Sequence, residues 1–274
     1  MPELPEVEVA RRNLTRWLRR GTLERVAISP RVYYGGSASA FAKQLIGRTV
    51  ARVERRGKWL RLVCDGECTL YSHLGMTGKW VLRAHDAPPE RYERARLDTD
   101  ERSVRYRDPR LFGRLFGAVG DAAPAAWRAL GPDALVDGIE PVALHERLQR
   151  IRRSIKETLL DQTLLAGVGN IQAAEALWRA RINPTRAASS LTLAEVRALA
   201  RAIDGSIRDT LAREDAPEIV YVEETGAANP FAVYGKQGEP CPRCRRRLRR
   251  LVQGGRSTVY CASCQPRRAA RRAT

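Results

Sequence analysis

The sequence predicts an α+β protein: a sheet-rich N-terminal body with one long helix, a helical second body, and a small C-terminal metal module. Three observations lead there. Residues up to about 120 carry mostly strand texture after a single amphipathic helix, the pattern turns helical from about 141, and four of the six cysteines fall in two C-x2-C pairs near the end. At 274 residues the chain exceeds the usual size of one domain, which suits two packed bodies plus an appendage.

Taken in order, PEVEVARRNLTRWLRR over 5–20 reads as a helix. Val7, Val9, Leu14, Trp17 and Leu18 supply an apolar stripe, Pro5 suits a first turn, and acids precede bases as the macrodipole prefers. Strand signals follow. TVARVERRGKWLRLVC alternates in part, TLYSHLGMTGKWVLR repeats that texture, and RARLDTDERSVRYRD folds as a hairpin around Asp100 and Glu101. VCDGECTL places Cys64 and Cys68 on two arms of an Asp-Gly hairpin, as small apolar side chains.

The stretch DAAPAAWRALGPDALVDG is rich in Pro, Ala and Gly, and 126–140 reads as a linker. PVALHERLQR, SIKETLLDQ and NIQAAEALWRARI are short helices, the last capped by Asn170 and stopped at Asn183-Pro184. Thr192-Leu-Ala-Glu195 is a capping box that opens a longer helix to about Arg213. Residues 214–234 read as loop. The expected domains are therefore 1–125, 141–225 and a metal module at 235–268, with a basic tail at 269–274.

Net charge is +18, and residues 235–274 hold Lys236 and eleven arginines against Glu239 alone, which puts +11 of it in the last forty residues. Such clustering points to a polyanion, most economically nucleic acid, because Lys and Arg on phosphates release condensed counterions. No apolar run approaches the ~20 residues of a membrane span. The acidic N-terminus does not match a signal or transit peptide, so a cytoplasmic, nucleoid-associated protein is expected.

Cys241-Pro-Arg-Cys244 and Cys261-Ala-Ser-Cys264 form a C-x2-C-x16-C-x2-C pattern. Each C-x2-C turn presents two thiolates to one tetrahedral ion, so one structural zinc is expected. Disulfides are disfavoured by the missing secretion signal. Farther upstream, Gly167-Val-Gly169 before Asn170 offers exposed backbone amides at a helix start, a phosphate clamp if a phosphate is nearby and an ordinary helix start otherwise.

The N-terminal PELPEVE carries chemistry of its own. A small second residue usually permits removal of Met1, which would leave Pro2 as a secondary amine with carboxylates at Glu3 and Glu6. PELPEVE, RRGKWL, HLGMTG, RDPRLFG, GVGNIQAAEALWRARINP and the cysteine set with GGRSTVYC occur in that order from Pro2 to Cys264. In these motifs, and over almost its whole length, the chain resembles the bacterial formamidopyrimidine-DNA glycosylase family.

That resemblance implies an N-terminal β-sandwich bearing the catalytic terminus, a helix-two-turn-helix domain and a β-hairpin zinc finger. It implies a base-excision enzyme with glycosylase and abasic-site lyase activity on double-stranded DNA with oxidised bases or abasic sites, acting as a monomer and away from membranes. Pro2 would be the nucleophile, Glu3 the general acid and Lys58 a phosphate-holding residue of the active site. Glu6 and His73 would support them. Met76, Arg110 and Phe112 would fill the space left by an extruded nucleotide, while Lys156, Asn170 and Arg256 would contact DNA.

One segment departs from the family pattern. Where a glycine pair followed by Ser or Thr commonly leads into a loop over the flipped purine, the chain reads LAREDAPEIVYVEETGAANPFAVYG. Oxidised purines are the expected lesions because Arg110 and Phe112 are retained, with an endonuclease VIII-like preference for oxidised pyrimidines as the alternative. A DNA-binding protein without catalysis, or a zinc ribbon fused to an unrelated sheet domain, would leave the Pro2-Glu3 pair unexplained.

Overall fold

The computed structural model describes residues 2–120, 122–214 and 218–267. The chain divides into two compact units, one formed by Met1–Ala129 with Leu211–Ala227 and the other by Leu130–Thr210 with Ala228–Thr274.

In the first unit, α1 (Leu4–Leu18) begins at Glu3 with a capping box in which the Glu3 and Glu6 side chains accept each other's backbone N–H. Pro5 sits in the first turn, and Leu4, Val7, Val9, Leu14 and Leu18 are buried. Two sheets share the core with this helix. The first, in spatial order, joins β1 (Arg25–Ile28), β7 (Glu93–Asp98), β8 (Arg102–Arg107) and β6 (Lys79–Ala84), all antiparallel. The second joins β2 (Tyr33–Tyr34), β9 (Arg114–Val119), β5 (Cys68–His73), β4 (Trp59–Cys64) and β3 (Val50–Arg56).

Residues from both sheets and α1 form one hydrophobic cluster, including Val7, Leu14, Leu60, Leu70, Trp80, Leu97 and Leu115. The expected hairpins at Cys64–Cys68 and at Asp100–Glu101 are present as β4–β5 and β7–β8. Two features lie beyond the sequence reading. Helix α2 (Ala38–Leu45) is capped by Ser37, whose hydroxyl accepts the Ala40 N–H, and β2 pairs in parallel with the distant β9.

The second unit holds α4 (Pro141–Gln149), α5 (Ile155–Leu159), α6 (Asn170–Arg179), most of α7 (Leu193–Arg213), and a hairpin of β10 (Arg249–Gln253) and β11 (Arg256–Tyr260). The Thr192–Glu195 capping box is formed in both directions. Gly254 and Gly255 make the hairpin turn at φ +53° and +73°, left-handed values that glycine adopts without a Cβ penalty.

Three expectations change here. Gly169, not Asn170, is the N-cap of α6, because the Asn170 side chain is drawn into other hydrogen bonds. The 126–140 stretch holds the end of α3 (Ala125–Arg128), and from Leu130 it belongs to the second unit, with Asp133 pairing across to Ala166. Leu211–Ala227 returns to the first unit rather than closing the helical domain at 225. The tail at 269–274 lies outside the described residues.

Candidate active site and metal centre

In the first unit the catalytic candidates cluster at the start of α1. Pro2 is buried, Glu3 is fully buried and Glu6 nearly so, and the Glu6 Oε2 accepts the Glu3 N–H at 2.8 Å. Burial first, then the charges of Glu214 and Glu3, push the Glu6 carboxyl up to about 8. Its surroundings thus favour the protonated carboxyl. Two residues on, Glu8 accepts from Arg11, Arg12 and the buried Arg55. Arg55 also donates to Gly57 O at 3.0 Å, which ties the β3–β4 turn carrying Lys58 to α1.

His73 pairs with Trp59 across β4–β5 and with Arg114 across β5–β9. Its Nδ1 accepts the Gly75 N–H at 3.1 Å, and burial first, then Lys58 and Arg114, lower its pKa to about 4. The ring is neutral with its proton on Nε2. His73 thus supports the turn after β5 on one side and keeps a donor on the other.

The three expected void-filling residues come from two loops. Asp108, fully buried, accepts from Thr77 Oγ1 at 2.7 Å, the Arg110 N–H at 3.2 Å and the Gly113 N–H at 2.8 Å. At Gly75 a Cβ would lie 2.4 Å from the Phe112 carbonyl carbon, so only glycine lets the loops approach this closely. The result is an exposed group: Met76 is 37% and Phe112 50% accessible, and the Arg110 guanidinium stacks 4.9 Å from the Phe112 ring centre.

In the second unit Lys156 is fully buried, donating to Asn170 Oδ1 at 2.6 Å and Thr258 Oγ1 at 3.3 Å. Lys156, expected among the DNA contacts, links the start of α6 to β11 through these two hydrogen bonds. Asn170 Nδ2 donates to Ser257 O at 3.1 Å and has a second hydrogen to offer. Arg256, the first residue of β11, is exposed beside the Gly254–Gly255 turn.

The sulfurs of Cys241, Cys244, Cys261 and Cys264 all lie within 4.8 Å of one another, with Cys241–Cys264 at 4.0 Å and Cys244–Cys261 at 3.4 Å. A tetrahedral ion with Zn–S bonds near 2.3 Å requires sulfurs about 3.8 Å apart, so the donor set fits one zinc. The Cys264 N–H also points to the Cys261 sulfur, at 3.4 Å, as outer-shell support for a thiolate. The four cysteines form the site of one structural zinc ion. Cys64 and Cys68 stay apart from it, buried, with burial chiefly pushing the Cys64 thiol up to about 12.

The comparisons with known proteins agree along the chain. Residues 1–115 match the formamidopyrimidine-DNA glycosylase N-terminal domain, 130–217 the H2TH domain of the same enzymes, and 238–267 the zinc finger found in FPG and IleRS. A formamidopyrimidine-DNA glycosylase of Bacillus cereus is 39% identical, covering 97% of this chain and all of the relative. The chain belongs to the formamidopyrimidine-DNA glycosylase family. Another member, from Herpetosiphon aurantiacus, is 38% identical over the same shares of both chains. Among solved members, Lactococcus lactis Fpg bound to DNA containing an N7-benzyl-Fapy-dG superposes with a TM-score of 0.87 at 30% identity, covering 97% of this chain. The same enzyme bound to abasic-site DNA gives 0.88 at 29%.

Two buried carboxylates that organise loops, Asp108 and Glu175, were not singled out in the sequence. Asp108 could have been found from its place in RDPRLFG, where a buried Asp suits a loop of unpaired amides. Glu175 is fully buried and accepts the N–H groups of Ala232, Val233 and Tyr234, which fixes the approach to the finger. Among the described residues no helix is long and apolar enough to cross a membrane.

Proposed function

We propose that this chain is a bifunctional DNA glycosylase and abasic-site lyase that excises oxidised purines, 8-oxoguanine and formamidopyrimidines, from double-stranded DNA. The observation that carries this reading is the buried terminus, where Pro2 and Glu3 open α1 and the Glu3 N–H donates to the buried Glu6 carboxyl at 2.8 Å. With Met1 removed, the Pro2 nitrogen attacks C1′ of the damaged nucleotide and the C1′–base bond breaks, the base leaving with a proton. Glu3 protonates the ring oxygen as the C1′–O4′ bond opens, and the amine proton is lost to give an iminium.

A secondary amine suits this step because its Schiff base is necessarily cationic. That cation draws electrons from the C2′–H bond, so a base can remove the C2′ proton while the 3′ C–O bond breaks; a second elimination then releases the 5′ phosphate. The extruded nucleotide leaves a gap in the stack. Met76 and Phe112 are exposed apolar side chains suited to enter it, and Arg110 carries donors for the orphaned base. Lys58, Asn170 and Arg256 serve as phosphate contacts, with Lys156 holding Asn170 in place.

The four cysteines would hold zinc, which would brace the module whose hairpin carries Arg256. Two structural neighbours bear on substrate: Lactococcus lactis Fpg bound to DNA with an oxidised pyrimidine, and MutM bound to DNA with carbocyclic 8-oxo-G. The retained Arg110 and Phe112 favour the purine reading, and the atypical segment after α7 favours a second reading that admits oxidised pyrimidines. Base release from matched duplexes tests both. Faster release of 8-oxoguanine and formamidopyrimidine opposite cytosine than of an oxidised pyrimidine is expected, and the reverse order would move the enzyme to the pyrimidine reading.

A further inference from the structure

The turn that carries Met76 is closed by bonds at both ends: the Gly75 N–H donates to His73 Nδ1 at 3.1 Å, and the Gly78 N–H to Leu74 O at 2.9 Å. Gly78 then leads directly into β6. A Cβ on Gly78 would lie 2.0 Å from the Tyr106 hydroxyl, and one on Gly113, just after Phe112, would lie 1.8 Å from the same oxygen. Tyr106 is fully buried on β8, so its phenol fills the space beside the ends of both loops.

Residues 219–224 grip the same turn from a distant part of the chain. The Tyr221 hydroxyl donates to Gly78 O at 2.6 Å, across 143 positions in sequence. On the next residue, Lys79 Nζ donates to Ile219 O at 3.0 Å and to Glu224 at 3.0 Å, and it stands 5.4 Å from the Tyr221 ring centre. Glu224 closes the group: its carboxylate accepts the Tyr221 N–H at 2.9 Å, and its own N–H donates to Tyr221 O at 2.8 Å. Ile219 and Tyr221 are buried in the hydrophobic cluster that contains Trp80 and Tyr106. Two consecutive residues at the end of the Met76 turn are therefore fastened to residues seated by burial. These belong to the segment whose sequence departs from the family pattern.

We propose, resting on the reading of Met76 as a void-filling residue, that Tyr221 is a positioning residue for it: its hydroxyl, through Gly78 O, fixes the turn from which Met76 enters the stack. Away from water such a hydrogen bond is stronger than one that competes with solvent. Met76 is 37% exposed and its side chain is flexible, so its placement depends on the backbone beneath it. Without the Tyr221 donor, Gly78 O loses its tie to the buried ring and Met76 is delivered to the gap less often.

Tyr221→Phe keeps the ring and removes only the donor. With protein that begins at Pro2, two readouts are compared for Tyr221→Phe, Met76→Ala and the double variant. One is single-turnover excision of 8-oxoguanine, or of the oxidised pyrimidine if that is released faster; the other is the fluorescence of a 2-aminopurine placed beside the lesion. Tyr221→Phe is expected to slow excision by about three- to ten-fold and to lower the fluorescence rise that marks unstacking. In the Met76→Ala background the same change should slow excision by less than about two-fold, because the hydroxyl then has no side chain to place. Wild-type rate and fluorescence in Tyr221→Phe overturn the proposal, as does full multiplication of the two effects in the double variant. If Met76→Ala alone leaves both readouts at the wild-type level, the void-filling reading itself fails and the proposal falls with it.

Discussion

Asp108 shows how one carboxylate shapes a surface proposed to meet DNA. Its three accepted hydrogen bonds hold the loop that exposes Arg110 and Phe112, and Thr77 ties in the turn of Met76. By composition alone a Met and a Phe belong in a core. The motifs HLGMTG and RDPRLFG said otherwise, and both side chains stand exposed. What the motif could not convey is the cause, because Asp108 acts through a turn 31 residues earlier. Asp108→Ala leaves two loop amides and a hydroxyl without this acceptor, each costing about 1–3 kcal/mol if it stays buried. The expected outcome is a fall of roughly ten-fold or more in lesion excision, larger than for Phe112→Ala. Single-turnover rates of both variants check it.

At the scale of elements, legibility followed locality. Helices α1 and α7 carried their capping boxes in four consecutive residues and could be read directly. The parallel pairing of β2 with β9, the burial of Ile219 and Tyr221 in the cluster that holds α1, and the link from Lys156 to Thr258 join residues far apart in sequence, and nothing local records them. Lys156 is the instructive case. A lysine in a basic chain reads as a phosphate contact, yet this one is buried between α6 and β11. Lys156→Met keeps the stem and removes the charge, so stability should change little while Asn170 and the hairpin lose their common anchor. Lesion cleavage is expected to fall by about ten-fold with a melting temperature within a few degrees of wild type, and zinc removal by a chelator should produce a deeper loss of the same kind. Normal cleavage by either preparation would separate the hairpin from function.

Over the whole molecule, charge and chemistry are laid out differently along the chain. The excess of +11 sits in residues 235–274, part of it in the tail outside the described residues, whereas the proposed nucleophile and general acid lie at the N-terminus. Binding strength is therefore expected to depend on salt and the chemical step on the state of one amine. The most direct measurement is borohydride trapping on a duplex with 8-oxoguanine opposite cytosine, followed by peptide mass mapping, using protein that begins at Pro2 and protein that keeps Met1. The proposed chemistry predicts an adduct at Pro2 in the first and none in the second, where the nitrogen is locked in an amide. A cross-link at another residue, or equal trapping by the Met1 form, would contradict the Pro2 amine as nucleophile.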